Sequence, residues 1–385
     1  MVRFRVERDV LADAVGWTAR TLPARPPVPV LAGVLIEADA SGSLQLSSFD
    51  YEVSARIEVP AEVSEPGRVL VSGRLLADIA RSLPSRPVDV VQEGAKVSVT
   101  CGASRFTLLT MPVEEYPALP AMPSAVGTLP GDVFTEAVAQ VTVAASRDET
   151  LPVLTGVRVE IEGDTVTLLA TDRYRLAVRE LPWHAAAPGT SAVALVRART
   201  LSDVAKALGS GDVTLALAGD VPADAPGGRG GAGMVGFEAG GRRSTSLLVD
   251  GEYPKVRALF PHESPVVAIV SAPALLEAVR RVALVAERST PVRLSFSEGQ
   301  VVLEAGQGED AQASEAIEAT LHGDDIAIAF NPQFLLDGLQ AIGKPYVRLS
   351  FTLPTKPAVL TGQTEPDSEA DEHYRYLLMP VRMAG

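Results

Sequence analysis

A single cysteine, Cys101, stands in a chain of 385 residues. No internal disulfide can form, so a secreted, cystine-stapled fold is excluded. Only four histidines are present, His184, His262, His322 and His373, and none is spaced to share a metal with another His or Cys, which removes zinc chemistry. Gly-x-Ser-x-Gly and His-Glu-x-x-His are both missing, and with them the signatures of an α/β-hydrolase and a zinc protease. Charges interrupt every apolar run well short of the roughly 20 residues that cross a bilayer. Met1-Val2-Arg3-Phe4-Arg5 lacks the apolar core of a signal peptide. The expectation is a soluble cytoplasmic protein with no metal and no organic cofactor.

Net positive charge is absent too. The formal charge of −14 counts at face value against nucleic acid, because duplex binding draws its affinity from neutralised phosphates. An average hides placement, however. Acids concentrate in segments such as Glu365-Pro366-Asp367-Ser368-Glu369-Ala370-Asp371-Glu372, while arginines gather elsewhere.

What the chain has is repetition. Val28-Pro29-Val30-Leu31-Ala32-Gly33-Val34 returns roughly 120 residues later as Leu151-Pro152-Val153-Leu154-Thr155-Gly156-Val157, a spacing longer than that of solenoid repeats. Ser48-Phe49-Asp50-Tyr51-Glu52-Val53 is answered by Thr171-Asp172-Arg173-Tyr174-Arg175-Leu176, and Glu115-Tyr116-Pro117 by Glu252-Tyr253-Pro254. Arg74-Leu75-Leu76-Ala77-Asp78, Arg199-Thr200-Leu201-Ser202-Asp203 and Gln333-Phe334-Leu335-Leu336-Asp337 share one pattern, and Met379-Pro380-Val381 closes the chain as Met111-Pro112-Val113 closes the first copy. Three domains of ordinary size follow, 1–123, 124–260 and 261–385.

Each copy opens with a helical pattern, Asp9 to Thr21, Asp132 to Ala145 and Ala272 to Glu287. Asp9 and Asp132 are the expected N-caps, and Pro273 suits a first helical turn. The second helix of each copy carries Asp78, Asp203 or Asp337. Ser43 to Ser47 and Thr165 to Leu169 alternate as strands. The fold class is therefore α+β: in each of three similar domains, two helices pack on antiparallel strands. Arg74, Arg81 and Arg86 in copy one, Arg197, Arg199 and Lys206 in copy two, and Arg280, Arg281 and Arg288 in copy three make these helices locally basic. A solvated helix face explains any one of them; recurrence at equivalent places favours a function.

Two phosphate-binding look-alikes fail. Gly338-Leu339-Gln340-Ala341-Ile342-Gly343-Lys344 fits the front of a P-loop, but Pro345 replaces the required Ser/Thr and the segment falls at a helix C-terminus, which repels phosphate. Residues 218–241 are glycine-rich without Rossmann spacing and are expected to form a mobile hairpin insertion. The recurring Asp50, Asp172, Asp78 and Asp203 suit capping or turns. A duplicated architecture without a concentrated catalytic set points to a binding scaffold.

Taken together, Arg25-Pro26-Pro27-Val28-Pro29-Val30-Leu31, Thr171-Asp172-Arg173-Tyr174-Arg175-Leu176-Ala177, Asp250-Gly251-Glu252-Tyr253-Pro254 and Tyr376-Leu377-Leu378-Met379-Pro380-Val381-Arg382 resemble the bacterial DNA polymerase III β subunits, the sliding clamps, in an actinobacterial form. The resemblance runs from end to end. It implies a head-to-tail homodimeric ring with pseudo-sixfold symmetry, helices lining a hole through which duplex DNA slides, and no catalytic activity. The implied partners are double-stranded DNA, held without regard to sequence, the polymerase III α subunit, the clamp loader and other proteins that carry a clamp-binding motif.

By position, Arg25 and Asp148 match DNA-contacting places, the acidic Asp148 poorly; Arg74, Arg81, Arg197, Arg199, Lys206, Arg280 and Arg281 are lining candidates on charge. The partner-peptide pocket implied by the resemblance comprises Leu154, Thr171, Arg173, Tyr174, Arg175, Leu176, Pro254, Leu259, Phe334, Leu377, Leu378, Met379, Pro380, Val381 and Arg382. Without the resemblance, Leu154, Leu176 and Leu378 read as core. Arg105, Phe106 and Leu108 facing Leu284 of the other protomer match the dimer interface. Small Ser289 and Ala258 at the pocket edge and the ending Arg382-Met383-Ala384-Gly385 depart from the family pattern and admit a specialised or inhibitor-tolerant second copy. The alternatives are a clamp-fold scaffold that does not encircle DNA, and an enzyme using Gly338 to Lys344 or the glycine-rich loop for nucleotide chemistry.

Overall fold

Glycine recurs at Gly33 and Gly156 because a leucine from the neighbouring strand lies where a side chain would stand. A Cβ on Gly33 would meet Leu70 Cδ1 at 2.6 Å, and one on Gly156 would meet Leu195 Cδ1 at 2.6 Å. The preceding Pro29–Ala32 and Pro152–Thr155 each form a short 3-10 turn, so the first sequence repeat is one structural device built twice. The computed structural model describes residues 1–208, 211–218, 233–286, 290–306 and 311–382.

The first repeat runs β1 (Arg3–Val6), α1 (Arg8–Thr18), β2 (Gly33–Asp39), β3 (Ser43–Phe49), β4 (Val53–Pro60), β5 (Glu62–Glu65), β6 (Gly67–Ser72), α2 (Gly73–Ser82), β7 (Val88–Glu93), β8 (Lys96–Cys101) and β9 (Ser104–Met111). The second runs β10 (Ala125–Pro130), α3 (Gly131–Thr142), β11 (Gly156–Glu162), β12 (Thr165–Thr171), β13 (Arg175–Pro182), β14 (His184–Ala185), β15 (Ser191–Arg197), α4 (Ala198–Leu208), β16 (Asp212–Ala218), β17 (Met234–Ala239) and β18 (Arg242–Leu247). The third runs β19 (Val266–Ser271), α5 (Ala272–Val282), β20 (Val292–Ser297), β21 (Gln300–Ala305), β22 (Ala313–His322), β23 (Ile326–Phe330), α6 (Pro332–Ile342), β24 (Tyr346–Phe351), β25 (Ala358–Gln363) and β26 (Asp371–Leu378). All strand pairs are antiparallel.

Contacts divide the chain into two compact units, one of 1–134, 184–190 and 203–248, the other of 135–183, 191–202 and 249–385. Strand pairing across repeat boundaries explains the division. In the first unit β4 of copy one pairs with β18 of copy two, Ser54 opposite Thr245. In the second, β13 of copy two pairs with β26 of copy three, Leu176 opposite Leu377.

The helices are amphipathic at the expected spacing. In α2, Leu76, Ala77, Ile79 and Ala80 are buried while Arg74, Asp78 and Arg81 face out. In α5, Leu275, Ala278, Val279 and Val282 are buried while Glu277, Arg280 and Arg281 face out. α1 packs on α2, and α5 on α6.

Several expected details differ. The first and third helices stop at Thr18 and Val282 and continue as 3-10 turns over Ala19–Thr21 and Ala283–Val285, and α3 stops at Thr142. Helical periodicity does not separate the two kinds of turn. Glu7, not Asp9, holds the N-cap position of α1, with no side-chain cap bond, and Asp132 lies inside the first turn of α3; both carboxylates act on the helix dipole instead. Ser271 and Asn331 do cap α5 and α6. Arg86 falls beyond the end of α2, and Asp78 pairs with Arg81 inside it instead of capping it. The insertion expected at 218–241 contains β17, whose Met234, Val235 and Phe237 are buried; 219–232, Arg288, Ser289 and Met383 to Gly385 lie outside the described residues. No helix among the described residues is long and apolar enough to cross a membrane.

Candidate functional site

Asp172 begins the site. Its Oδ1 accepts the backbone N–H groups of Tyr174 and Arg175, both at 3.0 Å, which closes a tight turn between β12 and β13 with Arg173 at φ 80°. The first repeat builds the same turn: Asp50 Oδ1 accepts from Glu52 and Val53 at 2.9 and 2.7 Å, with Tyr51 at φ 75°. Left-handed backbone at a non-glycine residue is held only where its surroundings over-determine it. Here the turn pushes Tyr174 into solvent, 57% exposed.

Arg175 lies on the other side of the turn, buried. Its Nε donates to Asp172 Oδ2 at 3.0 Å, its Nη1 to Asp337 Oδ2 at 2.6 Å, and its guanidinium carbon sits 4.3 Å from the centre of the Phe334 ring. Burial opposes the charge, yet the interactions with Tyr376, Asp337 and Asp172 outweigh it and raise the Arg175 pKa above its ordinary value. The Phe334 ring also stacks with Tyr174 at 6.1 Å. The chain's closing segment is pinned beside them, Met379 N–H to Tyr174 O at 2.8 Å and Val381 N–H to Ala329 O at 2.8 Å.

Beneath the rim lies an apolar floor. Leu176, Val178, Tyr253, Val256, Val359 and Leu377 form one buried cluster against which Phe260 packs. Burial pushes the Tyr253 hydroxyl up in pKa, and pushes its counterpart Tyr116 up to about 12. The linker is tied to the sheet through Arg257, which meets Glu160 at 2.5 Å.

By burial the residues expected as a pocket fall into two sets. Tyr174, Leu259, Met379 and Val381 are exposed apolar groups, with Pro254, Arg173 and Arg382 also exposed and Phe334 and Pro380 partly buried. Thr171, Leu154, Arg175, Leu176, Leu377 and Leu378 are buried. Thr171 Oγ1 donates to Arg175 O at 2.7 Å. These six support the surface instead of forming it: β13 and β26 are covered on both faces here, so consecutive residues such as Arg175 and Leu176, or Leu377 and Leu378, are buried alike. Asp337 and Tyr376 were missed as site residues, although an aspartate recurs at that helical place in every copy.

A second surface is basic. Arg74 and Arg81 of α2 and Lys206 of α4 line one groove of about 700 Å³ with Arg20 and Arg242. Two acids join them, Asp78 on Arg81 and Asp13 on Arg242. Arg20 and Arg242 were not expected: Arg242 lies on a strand, held by the Ala207 carbonyl and 5.7 Å from the Trp17 ring centre. Arg25 is exposed in the loop after α1, Arg199 is exposed on α4, and Arg197 ends β15, partly buried. Arg280 and Arg281 are met by Glu277 at 2.5 Å and by a two-pronged Glu315 at 2.6 and 2.9 Å, so the third copy presents less unmatched charge than its arginine count implied. Asp148 is a turn residue whose carboxyl is held below the usual range by hydrogen bonds from Thr150.

A third surface is a strand edge. Ser104–Leu109 of β9 pairs with β8 on one side and meets no strand on the other among the described residues. Arg105 and Phe106 are exposed there, but Leu108 is 3% exposed and Leu109 is 70%. Alternation turns Leu108 into the core and leaves Leu109 outside it. Leu284 is 84% exposed. Among the described residues no cluster of His, Cys, Asp and Glu could hold a metal.

Residues 2–120, 128–255 and 257–382 match the N-terminal, central and C-terminal domains of the DNA polymerase III beta subunit. The chain is 62% identical to the beta sliding clamp of Streptomyces coelicolor, with both chains covered in full. It is 46% identical to the beta sliding clamp homolog GriR of Streptomyces muensis over 99% of each chain. The crystal structure of the Bacillus subtilis sliding clamp superposes with a TM-score of 0.88 at 25% identity over the whole of both chains. That of the Pseudomonas aeruginosa clamp bound to griselimycin gives 0.89 at 26%, over 99% of this chain and all of that one.

Proposed function

The chain belongs to the DNA polymerase III β subunit family, the bacterial sliding clamps, and from that membership we propose how its three surfaces serve a clamp. The protein is a DNA sliding clamp of three-domain clamp fold. It encircles duplex DNA and tethers a replicative polymerase. The reading as a scaffold that does not encircle DNA is not favoured.

The observation that carries the assembly is a rule of strand pairing. In each repeat the third strand after the opening helix is β4, β13 or β22, and the last strand is β9, β18 or β26. Within the chain β4 pairs with β18 and β13 with β26. Left over are β22 at one end of the series and β9 at the other. Among the described residues, 313–318 of β22 pair with β21 alone, and 104–109 of β9 with β8 alone. Continuing the same rule into a second copy joins β22 of one protomer to β9 of the next, and two such junctions give six equivalent domains in a closed set. The exposed Phe106, Leu109 and Leu284 support this reading, because open edges with apolar side chains invite pairing.

The groove of Arg20, Arg74, Arg81, Lys206 and Arg242 is assigned to DNA phosphates. Contacts of this kind are electrostatic and read no bases, so they hold without fixing a position. The rim of Tyr174, Leu259, Met379 and Val381 over its apolar floor is assigned to an extended peptide from the polymerase α subunit, the clamp loader or other partners. The protein acts in the cytoplasm as a processivity factor and carries no catalytic activity of its own. Identity is 62% with the beta sliding clamp of Streptomyces coelicolor and 46% with the clamp homolog GriR, so the reading as a plain sliding clamp is the better supported.

The deciding experiment loads the protein onto nicked circular DNA with a clamp loader and ATP and then linearises the circle. Release on linearisation establishes topological linkage; equal retention on both forms reduces the protein to an ordinary DNA binder.

A further inference from the structure

The turn, strands and linker that build the partner groove occur a second time, in the first unit. Strand register makes the match residue by residue. Leu176 opposite Leu377 and Val178 opposite Arg375 in the partner groove correspond to Ser54 opposite Thr245 and Arg56 opposite Arg243. The linkers correspond from their shared Glu-Tyr-Pro onward, so Val256 to Leu259 becomes Leu119 to Met122. A cleft of about 400 Å³ lies at this place, lined by Ser54, Arg56, Thr245, Arg243 and residues 119–122, within the size range of small-ligand and peptide sites.

Its chemistry has changed. The floor is polar, with Ser54 Oγ and Thr245 Oγ1 hydrogen-bonded at 2.6 Å, where the partner groove has two leucines. Two guanidiniums stand directly opposite each other on adjacent strands, an arrangement that repels. Glu238 takes the Nε of Arg243 at 2.9 Å. The Arg56 side chain is partly buried and has no hydrogen bond or ion pair among the described residues. A carboxylate between the two guanidiniums would relieve the repulsion and gain charge-assisted hydrogen bonds, while Leu119, Pro120 and Met122 offer an apolar wall beside it.

We propose that this cleft is a second docking groove, which takes an extended acidic peptide, one carboxylate between Arg56 and Arg243 and an adjacent apolar side chain against Leu119 and Met122. Its shape argument rests on the partner-groove reading above; its charge argument does not. The two grooves on one chain then select different segments, apolar at one and acidic at the other.

The test uses the full chain and two fluorescein-labelled peptides followed by anisotropy, Asp-Leu-Asp-Leu-Asp and the uncharged Gln-Leu-Ser-Leu-Phe. The acidic probe should bind the unmodified protein and weaken by roughly tenfold or more in the Arg56→Gln, Arg243→Gln double variant. It should weaken equally in Met122→Trp, which fills the cleft without touching charge, and should be indifferent to Leu259→Ala. The uncharged probe should show the reverse pattern. Circular dichroism melts confirm that each variant is compared folded. No binding of the acidic probe at millimolar protein, or binding that ignores both cleft variants, or loss in Leu259→Ala instead, overturns the proposal. Failure of the partner-groove reading shows separately, as an uncharged probe that ignores Leu259→Ala.

Discussion

Arg175 Nη1 donates to the carboxylate of Asp337 at 2.6 Å across 162 residues of chain, joining the strand after the Asx turn to the last helix. The pair is largely buried, with side-chain exposures of 7% and 20%, so it acts in a medium where an unmatched charge is expensive. It fixes Phe334, which in turn carries Tyr174.

Asp337→Ala should therefore destabilise the protein by about 3 kcal/mol, since Asp172 still holds one side of the guanidinium but a buried charge loses its second partner. Urea unfolding gives the number. Affinity for the uncharged peptide should fall as well, through the loosened Phe334 and Tyr174.

Arg173→Gly should raise stability by about 1 kcal/mol, because a left-handed residue at φ 80° loses its strain, partly offset by the greater freedom of glycine when unfolded. Asp172→Ala should move the midpoint the other way. Equal midpoints for Arg173→Gly and the parent would mean that the strain is no larger than the stability lost to the greater unfolded freedom of glycine.

Gly338→Ala should cost about 1–3 kcal/mol. The glycine that opens the P-loop look-alike is there to admit Tyr376, whose Cε1 would stand 2.4 Å from the new Cβ. Differential scanning calorimetry reads the drop, and ATP should bind neither form.

Acid should loosen the linker. Burial raises the Glu160 pKa, but the hydrogen bonds from Arg257 and Arg158 outweigh it and hold the carboxyl below its ordinary 4.5. A carboxylate depressed on folding contributes stability that is present above the unfolded value and is lost as pH falls through the folded one. Glu160→Gln should then lower the melting temperature at pH 7 and narrow its gap to the parent below pH 4.5. A constant gap would mean that the ion pairs with Arg158 and Arg257 add nothing.

Arg74→Gln and Lys206→Gln should each weaken DNA association alike on all sequences and reduce the slope of log affinity against log salt by about 0.9 if each neutralises one phosphate. Arg280→Gln should change the slope less, because Glu277 already meets that charge.

The repeats, the α+β class, the three-domain organisation and the Asx turns were legible in the sequence because they are local: an aspartate before a turn and a 3.6-residue stripe depend on near neighbours. Charge clustering on α2 and α4 was legible for the same reason. Sequence could not say that Leu108 faces inward while Leu109 faces out, since a run of Phe-Thr-Leu-Leu fits either register and only the pairing with β8 chooses. It could not place Arg242 beside Lys206, or neutralise Arg281 with Glu315, because those partners come from strands distant in sequence. Nor could it separate supporting residues such as Arg175 and Leu377 from the exposed rim.

The sequence by itself determined that this protein is one structural unit written three times and therefore which strands are equivalent. Tertiary structure decided which of those strands meet a partner within the chain and which are left with an open edge, because hydrogen-bond pairing between distant segments is a property of their placement in space and not of either segment alone.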